Sequence, residues 1–178
     1  MPVHPAQPFH PSATLRRRAR LLLLASLAAG PVAAQHAHAP GADTPAPPPS
    51  VEIPLEAQAR AGLAQARVEA TAHGQALDCT GVALVDLLRQ AGAMPDAPLR
   101  GGAQLGRRVE VVARDGYRVT FSLGELDPSL GNRQVFLVDR CDGQPLDAAA
   151  GPLRLVVPED SRPARGIRQI ERITVLSP

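Results

Sequence analysis

Two alternating segments joined by an Asp-Gly pair place the strongest constraint on how this chain folds. In RRVEVVAR (107–114) and YRVTFS (117–122), apolar and polar residues alternate with the period of two that a half-buried strand requires. Asp115-Gly116 joins the two segments, and such a pair is a strong signal for a tight turn with both residues at positive φ. The pattern therefore predicts an antiparallel hairpin closed by a type I′ turn.

One helix is clear in the sequence. The apolar spacing i, i+3, i+4, i+7 over residues 82–91 predicts a helix with one buried face, formed by Leu84, Leu87, Leu88 and Ala91. Gly92 follows at the position where a glycine commonly ends a helix. A short helical turn is predicted at SLGEL (122–126), because Ser122 and Glu125 fit a capping box.

The remaining apolar segments predict strands. Residues 66–71 and 75–79 flank His73-Gly74 and predict a second hairpin, and CDGQPL is expected to turn the chain. Three later strands are predicted in QVFLVD (134–139), LRLVVP (153–158) and RITV, the last entered through a bend. Because strands and helices do not alternate regularly, the fold class is predicted to be α+β, with a mixed sheet and few helices.

The N-terminal residues have the pattern of a cleavable signal peptide. Four arginines between positions 16 and 20 precede the apolar run Leu21 to Gly30, and Val32-Ala33-Ala34 offers small residues before a cleavage point at Gln35. The apolar run is shorter than the roughly 20 residues that a transmembrane helix needs. We therefore predict export through residues 1–34, to the periplasm or the medium, with no stable membrane insertion after cleavage.

Composition then divides the rest of the chain and limits its partners. Residues 35–50 are rich in proline and alanine and predict an extended linker, so one folded domain is expected at 51–178.

Four of the 19 basic residues lie in the signal segment, which leaves 15 against 17 acidic residues and a net charge of −2. This balance lacks the basic surface of a nucleic-acid-binding protein. Only three aromatic residues follow the signal segment, which removes the usual platforms for stacking bases, sugars or flavins.

The two cysteines, Cys79 and Cys141, have several possible roles. In an oxidising compartment an even pair favours a disulfide, although two free thiols, a redox pair or a metal site are alternatives. Cys79 is the candidate metal ligand. The histidines are weaker candidates: His73 is expected to lie exposed in its turn, and His36 and His38 fall in the linker.

Three arginines and one tyrosine are the candidate ligand-binding residues. Arg154 lies between apolar residues of a predicted strand, where an arginine either pairs with an acid or faces an anionic ligand. Arg165 and Arg168 are three positions apart, which on one helical turn would place them on one face. Together these arginines would clamp an anion, or they pair with Asp142, Glu159 or Asp160. Tyr117, beside the Asp-Gly turn, is a candidate hydrogen-bond donor to a ligand.

Several segments, taken in order, resemble the molybdopterin-binding domain of the sulfite-oxidase family. They are CTGVALVDLLRQAGA, VEVVARDGYRVTFSLGEL, VFLVDRCDGQPL, GPLRLVVPED and ARGIRQIERITV, and they cover roughly residues 77–176. The family has an aromatic-x-Gly-Val-x-Leu-x-x-Leu-Leu segment, a DGY hairpin, a strand leading into an Asn-Gly-x-Pro-Leu turn, a GPxR-hydrophobic-Pro strand and a basic final segment ending in an Ile-x-Val strand; here Cys79 and Asp142 stand in place of the aromatic residue and the asparagine. The resemblance implies an α+β fold around a pterin cleft.

The resemblance also implies an activity, the two-electron oxidation or reduction of a substrate at a molybdenum held by molybdopterin. In the family a cysteine upstream of the Gly-Val-x-Leu segment ligates the metal, whereas here no cysteine precedes Cys79. Only 51–76 lie between the linker and the matching region. Two functions follow: a molybdopterin-dependent oxidoreductase with a redox partner, or a non-catalytic module that binds a small anion or a partner protein on the same fold. No catalytic residue is identified.

Overall fold

The computed structural model describes residues 48–178, which contain two antiparallel sheets. The strands are β1 (Val51–Glu52), β2 (Gln65–Ala72), β3 (Gln75–Ala83), β4 (Arg108–Ala113), β5 (Arg118–Ser122), β6 (Phe136–Cys141), β7 (Gln144–Pro145), β8 (Arg154–Val156) and β9 (Ile170–Leu176). The first sheet has the strand order β1-β9-β4-β5, and the second has the order β2-β3-β6-β7 with β8 also paired to β6.

The helices are short and stand between the strands. They are α1 (Ala57–Arg60), α2 (Leu84–Gln90), α3 (Gly102–Leu105) and α4 (Leu123–Leu126), followed by a 3₁₀ turn at Pro163–Arg165. Sheets and helices are not arranged as repeating strand–helix units, so the α+β class is confirmed. The predicted mixed sheet was wrong, because all strand pairs of the described residues are antiparallel. The more specific sulfite-oxidase topology remains a prediction.

Both sheets and the longest helix share one apolar core. The inner face of the first sheet contributes Val109, Phe121 and Ile173, and that of the second contributes Val82, Leu137 and Leu155. Helix α2 adds the three leucines that its spacing predicted, Leu84, Leu87 and Leu88. The alternating apolar residues of the strands and the helically spaced leucines of α2 thus face the same core, as their sequence patterns predict.

A second, smaller apolar cluster covers the other face of the second sheet. Its buried members are Val68, Cys79, Val138 and Val156, and partly buried residues around them include Ala70 and Leu77. Successive strand residues point to opposite faces, so Leu137 enters the main core while Val138 enters this cluster. The second sheet is therefore apolar on both sides near β8, which is where the candidate site lies.

All three predicted turns are present, but the one for which a type I′ backbone was predicted does not have it. His73-Gly74 and Asp142-Gly143 have positive φ at both residues, as a type I′ turn needs. The hairpin between β4 and β5 is also confirmed, but in its turn only Gly116 has positive φ. Asp115 instead accepts a hydrogen bond from the Tyr117 amide (2.9 Å). The type I′ prediction was wrong because the aspartate side chain closes the loop locally.

The predicted helix signals are confirmed. Gly92 has φ +69° just after α2, and the Ala93 amide reaches back to the Leu88 carbonyl, as in a glycine-terminated helix. Ser122 Oγ accepts from the Glu125 amide (2.9 Å) at the start of α4. The Glu125 carboxylate does not return to the cap and instead pairs with Arg165.

The later strands are also found, with shifted ends. Strand β6 begins two residues later than predicted, and β8 keeps only the centre of the predicted 153–158 segment. The final strand β9 is longer than RITV. The predicted signal peptide and most of the linker (35–47) lie outside the described residues. Within residues 48–178, no helix has the length and apolar character to cross a membrane.

Candidate functional site

Cys79 and Cys141 form a disulfide. They are direct partners in the pairing of β3 with β6, and their Cα atoms are 3.9 Å apart. The disulfide prediction is confirmed. Cys79 is completely buried, whereas Cys141 is partly exposed.

The disulfide changes what Cys79 can do. A soft metal is bound by a thiolate, and a sulfur in a disulfide is not one. Cys79 lies among Val68, Val138 and Val156 in the smaller cluster, so its surroundings are apolar and provide no further ligand. Of the two roles predicted for Cys79, the structure therefore shows the disulfide. Among the described residues, no three His, Cys, Asp or Glu side chains are arranged to hold a metal ion.

Arg165 is engaged in a structural ion pair. Its Nε and Nη2 donate to the two carboxylate oxygens of Asp160 (2.8 and 2.6 Å), and Nη1 donates to Glu125 (2.8 Å). These hydrogen bonds raise the pKa of Arg165 and lower that of Asp160. The guanidinium also stacks 4.7 Å above the ring of Phe121. With all its charge compensated, Arg165 is not free to clamp an anion.

Arg154, unlike Arg165, has no acidic partner among the ion pairs of the described residues. It shares a face of β8 with Val156, and its side chain is half-buried over the smaller cluster. Its Nε is buried with no hydrogen-bond partner, and none of the ion pairs within residues 48–178 includes it. Burial lowers the pKa of the guanidinium, and the positive charge of Arg168 lowers it further. The structure thus brings Arg154 and Arg168 near each other without supplying a carboxylate between them.

Arg168 and Tyr117 lie beside each other on the neighbouring surface. Arg168 is exposed and follows the 3₁₀ turn, which ends at Arg165, so the two arginines do not share a helical turn as predicted. The Tyr117 hydroxyl donates to the Ala164 carbonyl (2.9 Å), which fixes the ring against the 3₁₀ turn. Both residues line a cleft of about 300 Å³, the Tyr117 cleft, which His73 also lines.

Arg154 lines a small recess between the β2–β3 hairpin and the loop after β8. We call it the Arg154 recess; apart from Arg154 its walls are formed mainly by Ala70, Leu77, Val156, Val157 and Pro163, and its volume is about 10 Å³. A wider space, the hairpin cleft, has a volume of about 710 Å³ and lies between the same hairpin and residues 158–163. The two spaces share Ala70, Thr71, Leu77, Asp160 and Pro163, so they are adjacent.

Sequence reasoning found the arginines and missed the hairpin that surrounds them. Ala70, Thr71 and Leu77 belong to a hairpin predicted from its turn, but nothing in their local pattern indicates that they cover β8. His73 is exposed in its turn, as predicted, and lines the hairpin cleft and the Tyr117 cleft. The covering of β8 depends on contacts between residues about 80 positions apart, which no short-range pattern encodes.

Two buried polar residues were also missed. Asp127 is 2% exposed, and its carboxylate accepts from the Leu99 amide (2.8 Å) and from both the amide and hydroxyl of Ser129. Arg107 is 7% exposed, and its Nη atoms donate to the carbonyls of Ala93 and Pro49. Asp127 thus ties Leu99 to the turn at Ser129, and Arg107 ties together the segments of Ala93 and Pro49, so both residues serve the fold.

Comparison with known proteins adds no relative. No protein-family model matches the sequence, and no curated protein matches it significantly.

Proposed function

We propose that the folded domain is an exported, non-catalytic module that binds a small anion at Arg154, with Arg168 at the rim of the site. The observation that supports this function is the half-buried guanidinium of Arg154, which has no compensating carboxylate in the described part of the chain. Removing a cation from water without a partner is costly, and an anion that accepts from Arg154 would compensate it.

Two other arginines show how unusual this arrangement is within the described residues. Arg89 and Arg107 also have a buried Nε without a hydrogen bond. However, Arg89 lies within 4.0 Å of Asp86 and Asp96, and Arg107 donates through both Nη atoms to backbone carbonyls. Arg154 has neither form of compensation, and the charge that lowers its pKa, besides burial, is that of another cation, Arg168. Of these three arginines, Arg154 is therefore the one whose charge has no compensating partner in the described residues.

The residues present do not fit a molybdenum centre. The chain has two cysteines, and their disulfide leaves no thiolate for the metal. The Arg165 guanidinium, which would have been available to a pterin phosphate, is held by Asp160 and Glu125. We therefore propose the sulfite-oxidase type of fold without its cofactor chemistry.

The fold itself is proposed from the matching segments. The Gly-Val-x-Leu segment forms the junction of β3 and α2, the GPxR segment leads into β8, and the final Ile-x-Val segment is β9. The last two segments lie in strands, as the resemblance implies, which supports the proposal. The disulfide fits an oxidising compartment, in agreement with export.

Anion-dependent stability tests the function. Thermal unfolding would be followed in a buffer of low ionic strength while acetate, sulfate or phosphate is titrated, with wild type, Arg154→Met and Arg172→Gln compared. Arg172 is an exposed arginine of β9 and serves as the control. We expect at least one anion to stabilise wild type and Arg172→Gln, following the logarithmic dependence on ligand concentration that native-state binding gives.

The stability of Arg154→Met should not depend on the anion. Without anion it should be at least as stable as wild type, because methionine replaces an uncompensated charge among apolar walls. With anion it should gain no stability. Equal anion responses in all three proteins would contradict the proposal. Stoichiometric molybdenum in protein purified from its native host would instead support the oxidoreductase.

A further inference from the structure

The Arg154 recess is small, which limits the part of a ligand that fits into it. Its volume of about 10 Å³ is close to the smallest that holds one water-sized group. A single oxygen atom therefore fits beside Arg154, whereas a whole sulfate or phosphate does not. The walls next to it are apolar, apart from Thr71 and the paired Asp160, so few other donors help to hold a larger oxyanion.

The adjacent hairpin cleft is large enough for the rest of a ligand. It is about 710 Å³ and shares one wall with the recess, formed by Ala70, Thr71 and Leu77. Its remaining lining mixes apolar and polar groups, including Ala76, Pro158 and Ser161. An organic ligand with an oxygen in the recess would thus extend into this cleft and bury an uncharged body there.

The charges around the hairpin cleft disfavour a ligand with several negative charges. Four carboxylates line it, those of Glu69, Asp78, Asp142 and Asp160. Arg67 pairs with Asp78 and lies near Glu69, and Arg165 pairs with Asp160. Asp142, in the exposed turn after the disulfide, belongs to none of the ion pairs within residues 48–178. The cleft is therefore net negative, and a dianion in it meets repulsion that a single carboxylate held at Arg154 largely avoids.

We propose that the ligand of Arg154 is an organic monocarboxylate, with one carboxylate oxygen in the Arg154 recess and an uncharged body in the hairpin cleft. This inference rests on the proposed function and specifies its ligand. A carboxylate oxygen is a strong acceptor for a guanidinium, because the hydrogen bond is assisted by both charges. Two sources supply this chemistry, a free aliphatic acid and the C-terminal carboxylate of a peptide.

Calorimetric titration with matched probes tests the ligand class. The probes are valerate, acetyl-Ala-Ala with a free carboxylate, its amide, acetate and inorganic phosphate. We expect valerate or acetyl-Ala-Ala to bind about tenfold more tightly than phosphate, the amide to show no binding, and Arg154→Met to lose carboxylate binding. Tighter binding of acetyl-Ala-Ala than of valerate would identify a peptide end, and the reverse order a free acid.

Two variants separate the cleft from the recess. Ala76 is exposed and lines the hairpin cleft but not the recess, so Ala76→Trp should weaken valerate or acetyl-Ala-Ala about tenfold and leave acetate unchanged. Asp142→Asn removes one negative charge at a turn that asparagine tolerates, and it should strengthen phosphate more than valerate.

The outcomes distinguish this inference from the proposed function. If no anion binds, or if binding survives Arg154→Met, both are wrong. If phosphate binds through Arg154 as tightly as the carboxylates, or if Ala76→Trp leaves all probes unchanged, the anion site stands and the monocarboxylate inference is overturned.

Discussion

Arg165 holds Asp160 with two parallel hydrogen bonds of 2.8 and 2.6 Å, and thereby ties the loop after β8 to the 3₁₀ turn. A third bond from Arg165 to Glu125 connects this loop to helix α4. Asp160 lines both the Arg154 recess and the hairpin cleft. The ion pair therefore fixes one wall of the candidate site and also keeps the Asp160 carboxylate from compensating Arg154.

The Arg165–Asp160 pair should be sensitive to the shape of the cation. In Arg165→Lys the charge remains, but an ammonium group cannot form the same two-bond fork or the third bond to Glu125. We expect a loss of about 2 kcal/mol in the free energy of unfolding, measured by urea denaturation. Arg162→Lys is the control, because Arg162 is exposed on the same loop and belongs to none of the ion pairs of the described part. Equal stability of the two variants would show that the fork contributes little.

Asp127 should make the domain less stable in acid. Hydrogen bonds from Ser129, and then from the Leu99 amide, lower the pKa of its carboxyl below the usual value. The folded state therefore favours the ionised form, and this stabilisation is present above the ordinary aspartate pKa of about 4 and is lost as the pH falls through the lower folded pKa. Asp127→Asn should reduce the free energy of unfolding by about 2 kcal/mol at pH 7 and by less below about pH 4.

The control for Asp127 is Asp142→Asn, which changes an exposed carboxylate that makes no ion pair within residues 48–178. Its unfolding free energy at pH 7 should lie close to that of wild type. A difference between wild type and Asp127→Asn that stays constant down to the acid transition would contradict the assigned pKa direction.

Gly81 should not tolerate a side chain. A Cβ added there would lie 2.5 Å from the Cα of Val138 and closer still to the carbonyl oxygen of Leu137, both backbone atoms of β6. The pairing of β3 with β6 is irregular at this point, between Thr80 and Gly81, which brings the two backbones together. We expect Gly81→Ala to lose about 3 kcal/mol or more of unfolding free energy.

Gly102→Ala is the matched control for Gly81→Ala. An added Cβ at Gly102 meets nothing within 4 Å, and the residue is helical, so alanine there should be neutral or slightly stabilising. Similar urea midpoints for the two variants would mean that β6 moves away from Gly81 at little cost.

The disulfide should account for a large part of the stability. It closes a loop across 62 positions, for which restriction of the unfolded chain gives about 4 kcal/mol. Cys79→Ala/Cys141→Ala should lose a comparable amount in urea denaturation without reductant, and reductant should then have no effect on the variant. Two titratable thiols in denatured, unreduced wild type would show that the bond is absent.

Local chemistry made several elements predictable. The leucines of α2, the glycine after it and the Ser122 cap each depend on residues within four positions, so they could be inferred from short segments. The backbone conformation of the turn at Asp115 could not be predicted, since two local conformations are compatible with the Asp-Gly pair. The aspartate side chain bonded to the Tyr117 amide, and this removed the need for positive φ at Asp115 itself.

The candidate site was only partly predictable, because partner choice depends on distance in space. Arg154, Arg165 and Arg168 were expected either to clamp an anion together or to pair with acidic residues. The structure gives Arg165 two acids, one of them 40 residues away, and leaves Arg154 near Arg168 alone. The hairpin that covers Arg154 comes from about 80 positions earlier in the chain.

The sequence by itself determined the α+β class, the positions of the turns, the clearest helix and the presence of a cysteine pair, because each depends on composition or on short-range spacing. Only the tertiary structure decided that Cys79 faces Cys141, that Asp160 goes to Arg165, and that Arg154 is left without an acid. The physical reason is that ion pairing and burial depend on which distant segments pack together, and that choice is made by the whole core.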